Sequence, residues 1–155
     1  MLLMAQFRDP IDILRKAVRD LKRSINPTIK TTFDKYKSII VHYNADIQMY
    51  EKGQTSKGSL IRPPYRPSTI RIKKRKGQPT DRVTLRDTGR FHKTLKVDAY
   101  NDYVEISSDI EYAKYLFKKY GDDVLGIQKE LLKEFVKKYI LNELKKVFYD
   151  KLTKP

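Results

Sequence analysis

Apolar residues recur at helical spacing close to the start of the chain. They follow the three- and four-residue steps of an α-helix: Ile13, Leu14, Ala17, Val18, Leu21 and Ile25. The preceding Asp9-Pro10 pair is typical of a helix start, because Asp can cap free N–H groups and Pro at the first helical position loses no hydrogen bond. The pattern therefore predicts a helix over residues 10–25 with one apolar face.

A second run of apolar residues begins after Asn26-Pro27, which repeats the start pattern. Its members alternate at spacings of four and three: Ile29, Phe33, Tyr36, Ile40, Tyr43, Ile47 and Tyr50. Gly53 stands where a left-handed C-terminal cap is expected, so the run predicts a helix over residues 28–51. This heptad-like seam is interpreted as a core face, and self-association through a coiled coil is the alternative.

The second half of the chain predicts a β-hairpin followed by helices. Leu95, Val97 and Ala99 alternate with polar residues, as do Val104 and Ile106, and Tyr100-Asn101-Asp102 lies between the two runs. Residues 109–119 predict a helix that Asp109 caps and Gly121 ends. A broad apolar stripe over residues 127–152 predicts a long helix buried against a sheet and other helices.

Residues 52–93 lack these periodic patterns. Three prolines within Arg62–Pro67 forbid a helix there and favour an extended, polyproline-like path. Ile70–Lys73 alternates for four residues and predicts a short strand. Four adjacent cations before Gly77, from Lys73 to Lys76, predict a hairpin tip or a mobile loop.

These elements predict an α+β fold within a single domain spanning residues 1–155. It comprises an N-terminal part with two helices (1–51), an extended basic Pro-rich arm (52–93), and a part with a small antiparallel sheet, its β-hairpin and a long C-terminal helix (94–155).

The amino-acid composition excludes several kinds of catalytic and metal-binding site. The 155 residues include no Cys, which excludes disulfide frameworks, thiolate nucleophiles and Cys-type zinc sites. With two histidines, His42 and His92, a His-rich metal site is also excluded. The apolar start is interrupted at once by polar residues, so no signal peptide or membrane span is expected. We expect no cofactor, no resident metal and no enzymatic activity.

The net charge of +15 is unevenly distributed. Residues 52–93 carry thirteen basic and two acidic side chains, a balance of +11, whereas the flanking parts are nearly neutral. The candidate contact residues of this arm are Arg62, Tyr65, Arg66, Arg71, Lys73, Lys74, Arg75, Lys76 and Arg82. The cations could neutralise phosphates while the Tyr65 ring stacks on a base. Docking onto an acidic protein neighbour and a solvated loop without a specific partner are the other readings.

Other candidate sites are weaker. Glu105, Asp109 and Glu111, followed by Lys114, lie close enough in sequence to suggest a metal-dependent nuclease, but ordinary surface charge is the preferred interpretation. The two histidines have no evident nucleophile partner.

The order of motifs resembles that of the tailed-bacteriophage virion-morphogenesis family, the tail-completion and head-to-tail joining proteins similar to the G protein of Mu-like phages. The matching stretches are Pro64-Tyr65-Arg66-Pro67-Ser68-Thr69, the Lys-rich stretch, Leu85-Arg86-Asp87-Thr88-Gly89-Arg90-Phe91, the hairpin, Tyr112-Ala113-Lys114-Tyr115, Gly121 and Leu125-Gly126-Ile127. The resemblance covers about residues 60–150. Phe117 departs from it where the family often has His, as do Asp122-Asp123 in the usual Arg region.

The resemblance implies a structural subunit of the phage neck or tail end. Such a subunit would reside in the virion, assemble in the host cytoplasm as a ring-shaped homo-oligomer, and dock on connector, tail-terminator or tail-tube proteins, with possible contact to packaged DNA and none to a membrane. The motif positions are Leu85, Thr88, Gly89, Phe91, Tyr112, Ala113, Gly121 and Gly126. Thr88 would cap a short helical turn, Phe91 would anchor it to the core, and the last two glycines would supply backbone conformations. A small basic DNA- or RNA-binding module is the alternative function.

Overall fold

The structure is a computed structural model that describes residues 10–153. It mixes helices with a two-stranded antiparallel sheet. In chain order the elements are α1 (Pro10–Lys35), α2 (Lys37–His42) continuing as a π-helix (Tyr43–Glu51), α3 (Pro67–Arg75), α4 (Arg90–Lys93), β1 (Leu95–Ala99), β2 (Val104–Ser108), α5 (Ala113–Tyr120), a 3₁₀ turn (Asp122–Val124), α6 (Lys129–Phe135) continuing as a π-helix (Val136–Ile140), and α7 (Leu141–Thr153).

The first helix is longer than the sequence predicts. A boundary at Asn26-Pro27 was expected, but α1 runs through Pro27 and the chain first deviates from helical geometry at Tyr36, with φ −111° and ψ 27°. Proline inside a helix removes one hydrogen bond, and packing against the C-terminal helices offsets that loss. The Tyr36 and Tyr139 rings lie 4.4 Å apart, and the Lys35 ammonium donates to Glu143 at 2.8 Å. The predicted cap residue Asp9 lies outside the described residues.

The predicted hairpin is confirmed. The two strands pair antiparallel with Val97 opposite Ile106, and side chains of β1 alternate between buried and exposed along its whole length. The buried face of β1 packs on the N-terminal helices, so the alternation that marked the strand also sets its orientation.

The basic arm is where the sequence-based expectation is wrong. Residues 67–75 form helix α3 instead of the predicted strand at Ile70–Lys73, and the four cations lie at the end of that helix, not in a hairpin tip. Pro67 occupies the first helical turn, which suits its fixed φ, and cations in the last turn interact favourably with the helix dipole. An isolated bridge between Gln54 and Leu60 further orders the segment before α3.

The later helices follow the prediction more closely. The helix expected at 109–119 begins at Ala113, so Asp109 does not cap it; its carboxylate pairs with Lys96 instead. Gly121 ends α5 with φ 88°, and the long C-terminal helix spans residues 129–153 as α6, its π-helical continuation and α7.

Two hydrophobic clusters form the interior. The helical core joins α1, α2, β1 and the C-terminal helices, and its buried members are Phe33, Ile40, Tyr43, Val97, Ala99, Leu131, Phe135 and Ile140. The loop core joins the first π-helix, the segments flanking α3, α4, and the start of α5, and its buried members are Ala45, Met49, Ile61, Val83, Leu85, Phe91, Leu95, Ala113 and Val124. The predicted seam of the second helix thus faces the protein's own core.

Two buried amides on the first π-helix hold the loop before α6. Asn44 donates through Nδ2 to the carbonyls of Val124 (3.0 Å) and Gly126 (2.8 Å), and Gln48 donates to the same Gly126 carbonyl (3.1 Å). The loop turns sharply at Gly126, whose φ of 109° is strained for any residue with a side chain. A Cβ added there would also lie 3.0 Å from the Ser56 Cβ.

Candidate functional site

Five of the eight candidate contact cations of the basic arm have similar surroundings. Arg62, Arg66, Arg71, Lys74 and Arg75 are exposed, and their side chains make no ion pair or hydrogen bond with any other part of the chain that the structure describes. Arg71, Lys74 and Arg75 are three and four residues apart on α3 and are therefore neighbours on its outer face. This group, the free basic surface, is available to an anionic partner.

The other three candidate contact cations, Lys73, Lys76 and Arg82, make contacts within the fold itself. Lys76 pairs with Asp87 at 2.5 Å, and Arg82 pairs with Asp81 and donates to the Tyr50 carbonyl at 3.0 Å. Lys73 is buried, with 4% of its surface exposed, and donates to the Arg86 carbonyl at 2.7 Å and to Gln78 Oε1 at 2.9 Å. These contacts fasten the end of α3 to the segment before α4.

Tyr65 is held in place instead of projecting from the arm. Its hydroxyl accepts from the Thr84 N–H at 2.9 Å, and the Lys73 ammonium lies 5.0 Å from the centre of its ring. One ring face is therefore covered by a cation from the protein itself, so the stacking role that the sequence suggested for Tyr65 does not fit this arrangement.

Two sets of predicted residues meet around one groove of about 450 Å³. From the basic arm, Tyr65 and Lys73 line it; from the family motifs, residues 85–91 and Tyr112 do so, joined by Leu116 and Tyr120 of α5. Arg62, Arg66, Arg71, Lys74, Arg75, Lys76 and Arg82 do not line this groove. The groove thus combines an apolar wall, a buried ammonium and the turn that begins α4.

Comparisons with protein-family models, curated proteins and solved structures find no match. The function of this chain must therefore be argued from its own residues.

Gly89, not Thr88, is the N-cap of α4, and no side chain caps this helix. The Arg90 N–H donates to Thr88 Oγ1 at 3.4 Å, and Gly89 precedes α4 with φ 81°. Phe91 is 1% exposed within the loop core, where Phe117 packs edge-on against it with ring centres 6.1 Å apart. The residue that departs from the family pattern therefore contacts one of the motif positions.

The remaining motif positions lie away from the groove lining. Ala113 is buried in the loop core at the start of α5, and Gly121 and Gly126 flank the 3₁₀ turn and have positive φ values. Their place in the structure is that of packing and backbone-conformation residues.

The two histidines have different surroundings. His42 is exposed and pairs with Asp46 at 2.8 Å. His92 is buried, and its Nε2–H donates to the Thr84 carbonyl at 2.9 Å, an assignment that follows because a carbonyl can only accept. Burial lowers the pKa of His92 to about 4, so the ring is neutral at physiological pH. Its Nδ1 has no hydrogen-bond partner among the described residues.

Acidic residues do not converge. Within residues 10–153 no group of three or more His, Cys, Asp or Glu side chains is placed to hold a metal ion. Glu105, Asp109 and Glu111 therefore do not form such a group. No helix in the same range is both long and apolar enough to cross a bilayer.

Sequence reasoning missed two cations at the groove and the two buried amides of the first π-helix. Arg86 lies 4.6 Å from the Tyr50 ring centre and 3.8 Å from Asp46, and Arg90 is exposed at the rim. The amides of Asn44 and Gln48 are fully buried. Their spacing of four residues places them on one face of a helix. Their burial, however, depends on the Val124–Gln128 loop, which is distant in sequence, so no pattern near Asn44 and Gln48 predicts it.

Proposed function

We propose that this protein is a structural subunit of a tailed-phage neck or tail end, of the tail-completion or head-to-tail joining type. It acts by binding: copies associate head-to-tail into a ring, and the ring docks on connector, tail-terminator or tail-tube proteins in the virion. The ordered series of motifs supports this proposal. The observation that carries it is that motif positions from residues 85–91 and Tyr112 surround a single groove together with Tyr65 and Lys73 of the basic arm.

The free basic surface supplies the second contact of the proposal. Three of its five cations, Arg71, Lys74 and Arg75, lie on helix α3, which Lys73 fastens to the Arg86 carbonyl. Docking through these three cations therefore needs no further ordering of the backbone that carries them. Arg71, Lys74 and Arg75 form a compact patch suited to carboxylates on a neighbouring subunit or partner.

Light scattering and negative-stain electron microscopy test the assembly. The chain is examined alone and co-expressed with connector and tail proteins encoded beside it, and we expect a closed ring or a complex of defined mass. A chain that remains monomeric in both settings would refute the proposal.

A matched pair of charge reversals tests the docking surface. Lys74→Glu with Arg75→Glu should weaken docking at least about tenfold, because opposed charges are replaced by like charges. Lys129→Glu with Lys137→Glu changes the net charge equally on exposed positions of the C-terminal helix and should leave docking unchanged. Equal effects of the two pairs would remove the free basic surface from the interface.

Nucleic-acid binding is the second candidate, and the five free cations favour it. If all five contacted phosphates, the logarithm of the binding constant would fall with the logarithm of salt concentration at a slope of about −4.5 on duplex DNA. Fluorescence anisotropy with a short duplex and the corresponding single strand measures that slope. Changing Arg71, Lys74 and Arg75 to Ser should reduce it by about 3. Absence of binding at low salt would eliminate this candidate.

A further inference from the structure

Lys73 places a buried positive charge at the groove without an acidic partner. Its ammonium has three N–H donors, of which two reach the Arg86 carbonyl and Gln78 Oε1. In residues 10–153 no carboxylate forms an ion pair with it, and Asp87, which also lines the groove, pairs with Lys76. A buried charge without a counter-charge is costly, so an anion that reached Lys73 would be bound favourably.

Aromatic and aliphatic side chains form about half of the groove lining around this charge. Tyr65 and Phe91 line the inner part, and Tyr112, Leu116 and Tyr120 line the side formed by α5. A groove of about 450 Å³ is within the range that accommodates small ligands and a few side chains. The chemistry therefore suits an anionic group that has an apolar group beside it.

The rim adds to the positive field. Arg90 is exposed, and its guanidinium has no ion pair with any residue of the described chain. Arg86 also lines the groove, although it is partly engaged by Asp46 at 3.8 Å. Since Asp87 is neutralised by Lys76, the balance at the groove is positive.

We infer that this groove binds a peptide segment of a partner protein in which an Asp or Glu carboxylate lies beside an aromatic or aliphatic side chain. The carboxylate accepts a hydrogen bond from Lys73 and faces Arg90, while the apolar side chain packs between α4 and α5. The inference rests on the proposed function only in taking the occupant to be a protein.

A peptide fits this groove better than a nucleic acid does. Phosphodiester backbones are bound by rows of accessible cations, and the five free cations all lie outside the groove. Inside it the buried Lys73 ammonium, with Arg86 and Arg90 nearby, lies among aromatic and aliphatic side chains, an arrangement that suits a carboxylate and its neighbouring side chain.

Synthetic peptides provide the test. Asp or Glu is placed beside Leu, Phe or Tyr in a Gly-Ser background, and each peptide has a counterpart with Asn or Gln in place of the acid. Fluorescence anisotropy with the full chain should show the acidic peptides binding at least about tenfold more tightly, since a hydrogen bond between charged groups replaces one to a neutral amide. Amide chemical shifts of residues 88–91 and of Leu116 should change on binding.

Neighbouring lysines give the matched control. Lys73→Met keeps the apolar stem and should abolish the preference for acid, whereas Lys74→Met, on the outer face of the same helix, should retain it. If Lys73→Met fails to fold, Arg90→Glu at the exposed rim takes its place and should also abolish the preference for acid.

Three results would overturn the inference: equal affinity for acidic and amide peptides, equal binding by the Lys73 and Lys74 variants when both fold, or binding of a short oligonucleotide that shifts the groove amides while no peptide does. If rings form but no peptide binds, the inference about the groove is refuted and the proposed function is not. Peptide binding by a chain that never assembles would refute the proposed function alone.

Discussion

The helical core and the loop core use similar side chains but are assembled differently. In the helical core, Phe33 stacks on Phe135 with ring centres 4.9 Å apart, and both residues belong to long helices. In the loop core, Met49, Ile61 and Val83 come from a π-helix and from segments without regular structure. The first core depends on repeated spacing within helices, and the second depends on contacts between distant segments.

The groove lies over the loop core and not over the helical core. Leu85 and Phe91 belong to both the loop core and the groove lining, so a change in the packing of that core alters the site directly. Val41 packs against both clusters and connects them.

Truncating one buried ring in each core gives the largest expected effect. Phe135→Ala and Phe91→Ala each remove a fully buried ring and should lower the free energy of unfolding by about 3–5 kcal/mol. For a domain of this size each kcal/mol lowers the melting temperature by about 2–4 °C. Because Val41 joins the cores, we expect both variants to show a single unfolding transition by circular dichroism.

Hydrogen exchange then distinguishes one cooperative unit from two. If Phe91→Ala accelerates exchange only around the groove while α1 and α7 keep their protection, the cores unfold separately and the link through Val41 is insufficient. Leu141→Ala, at an exposed position of α7, serves as the control and should change stability by less than about 0.5 kcal/mol.

The same contrast explains what the sequence could predict. The hairpin and the C-terminal helix were predicted correctly because each buries one face. Burial of one face produces a pattern within the segment itself: the alternation at Leu95–Ala99 and the apolar stripe over 127–152. The boundary at Asn26-Pro27 was wrong because a local start pattern was outweighed by packing of α1 on the C-terminal helices.

The groove could be anticipated only in part. Tyr65, Lys73 and the Thr88 turn were all named as candidates, but nothing near Lys73 distinguishes it from Lys74, Arg75 and Lys76. Its burial depends on the Arg86 carbonyl, thirteen residues away, and on Gln78. The four-residue alternation at Ile70–Lys73 was too short to fix a strand, and Pro67 at the first helical turn was the better guide.

Protonation of His92 should weaken the loop core selectively as pH falls. Burial lowers its pKa from 6.5 to about 4, so the unfolded chain binds more protons than the folded chain between these values. The stabilisation is fully present above pH 6.5 and is lost as pH falls toward 4, at a cost of about 3 kcal/mol, from 1.36 kcal/mol per pKa unit.

Urea unfolding at a series of pH values measures this dependence. His92→Gln, whose amide can still donate to the Thr84 carbonyl, should flatten the fall in stability between pH 6.5 and 4. His42→Gln, at an exposed site, should leave it as in the unmodified chain apart from the loss of a surface ion pair. Identical profiles for the two variants would show that His92 does not couple the loop core to pH.

Asn44 gives a smaller effect and tests how the two cores are joined. It lies on the π-helix that contributes Tyr43 to the helical core and Met49 to the loop core. Asn44→Ala leaves the Val124 carbonyl without its side-chain donor and removes one of the two amides that donate to the Gly126 carbonyl, which should cost about 1–3 kcal/mol. The measurement is the free energy of unfolding, together with exchange at the amide of Leu125.

The matched control for Asn44 is Asn142→Ala. Asn142 also donates to a backbone carbonyl, that of Lys138 at 2.7 Å, but it is exposed, so water replaces the lost bond and the expected change is under about 0.5 kcal/mol. Gly126 keeps one donor in the Asn44 variant, because Gln48 still reaches its carbonyl at 3.1 Å. A variant at Asn44 that is as stable as the unmodified chain would mean that Gln48 alone holds the loop to the π-helix.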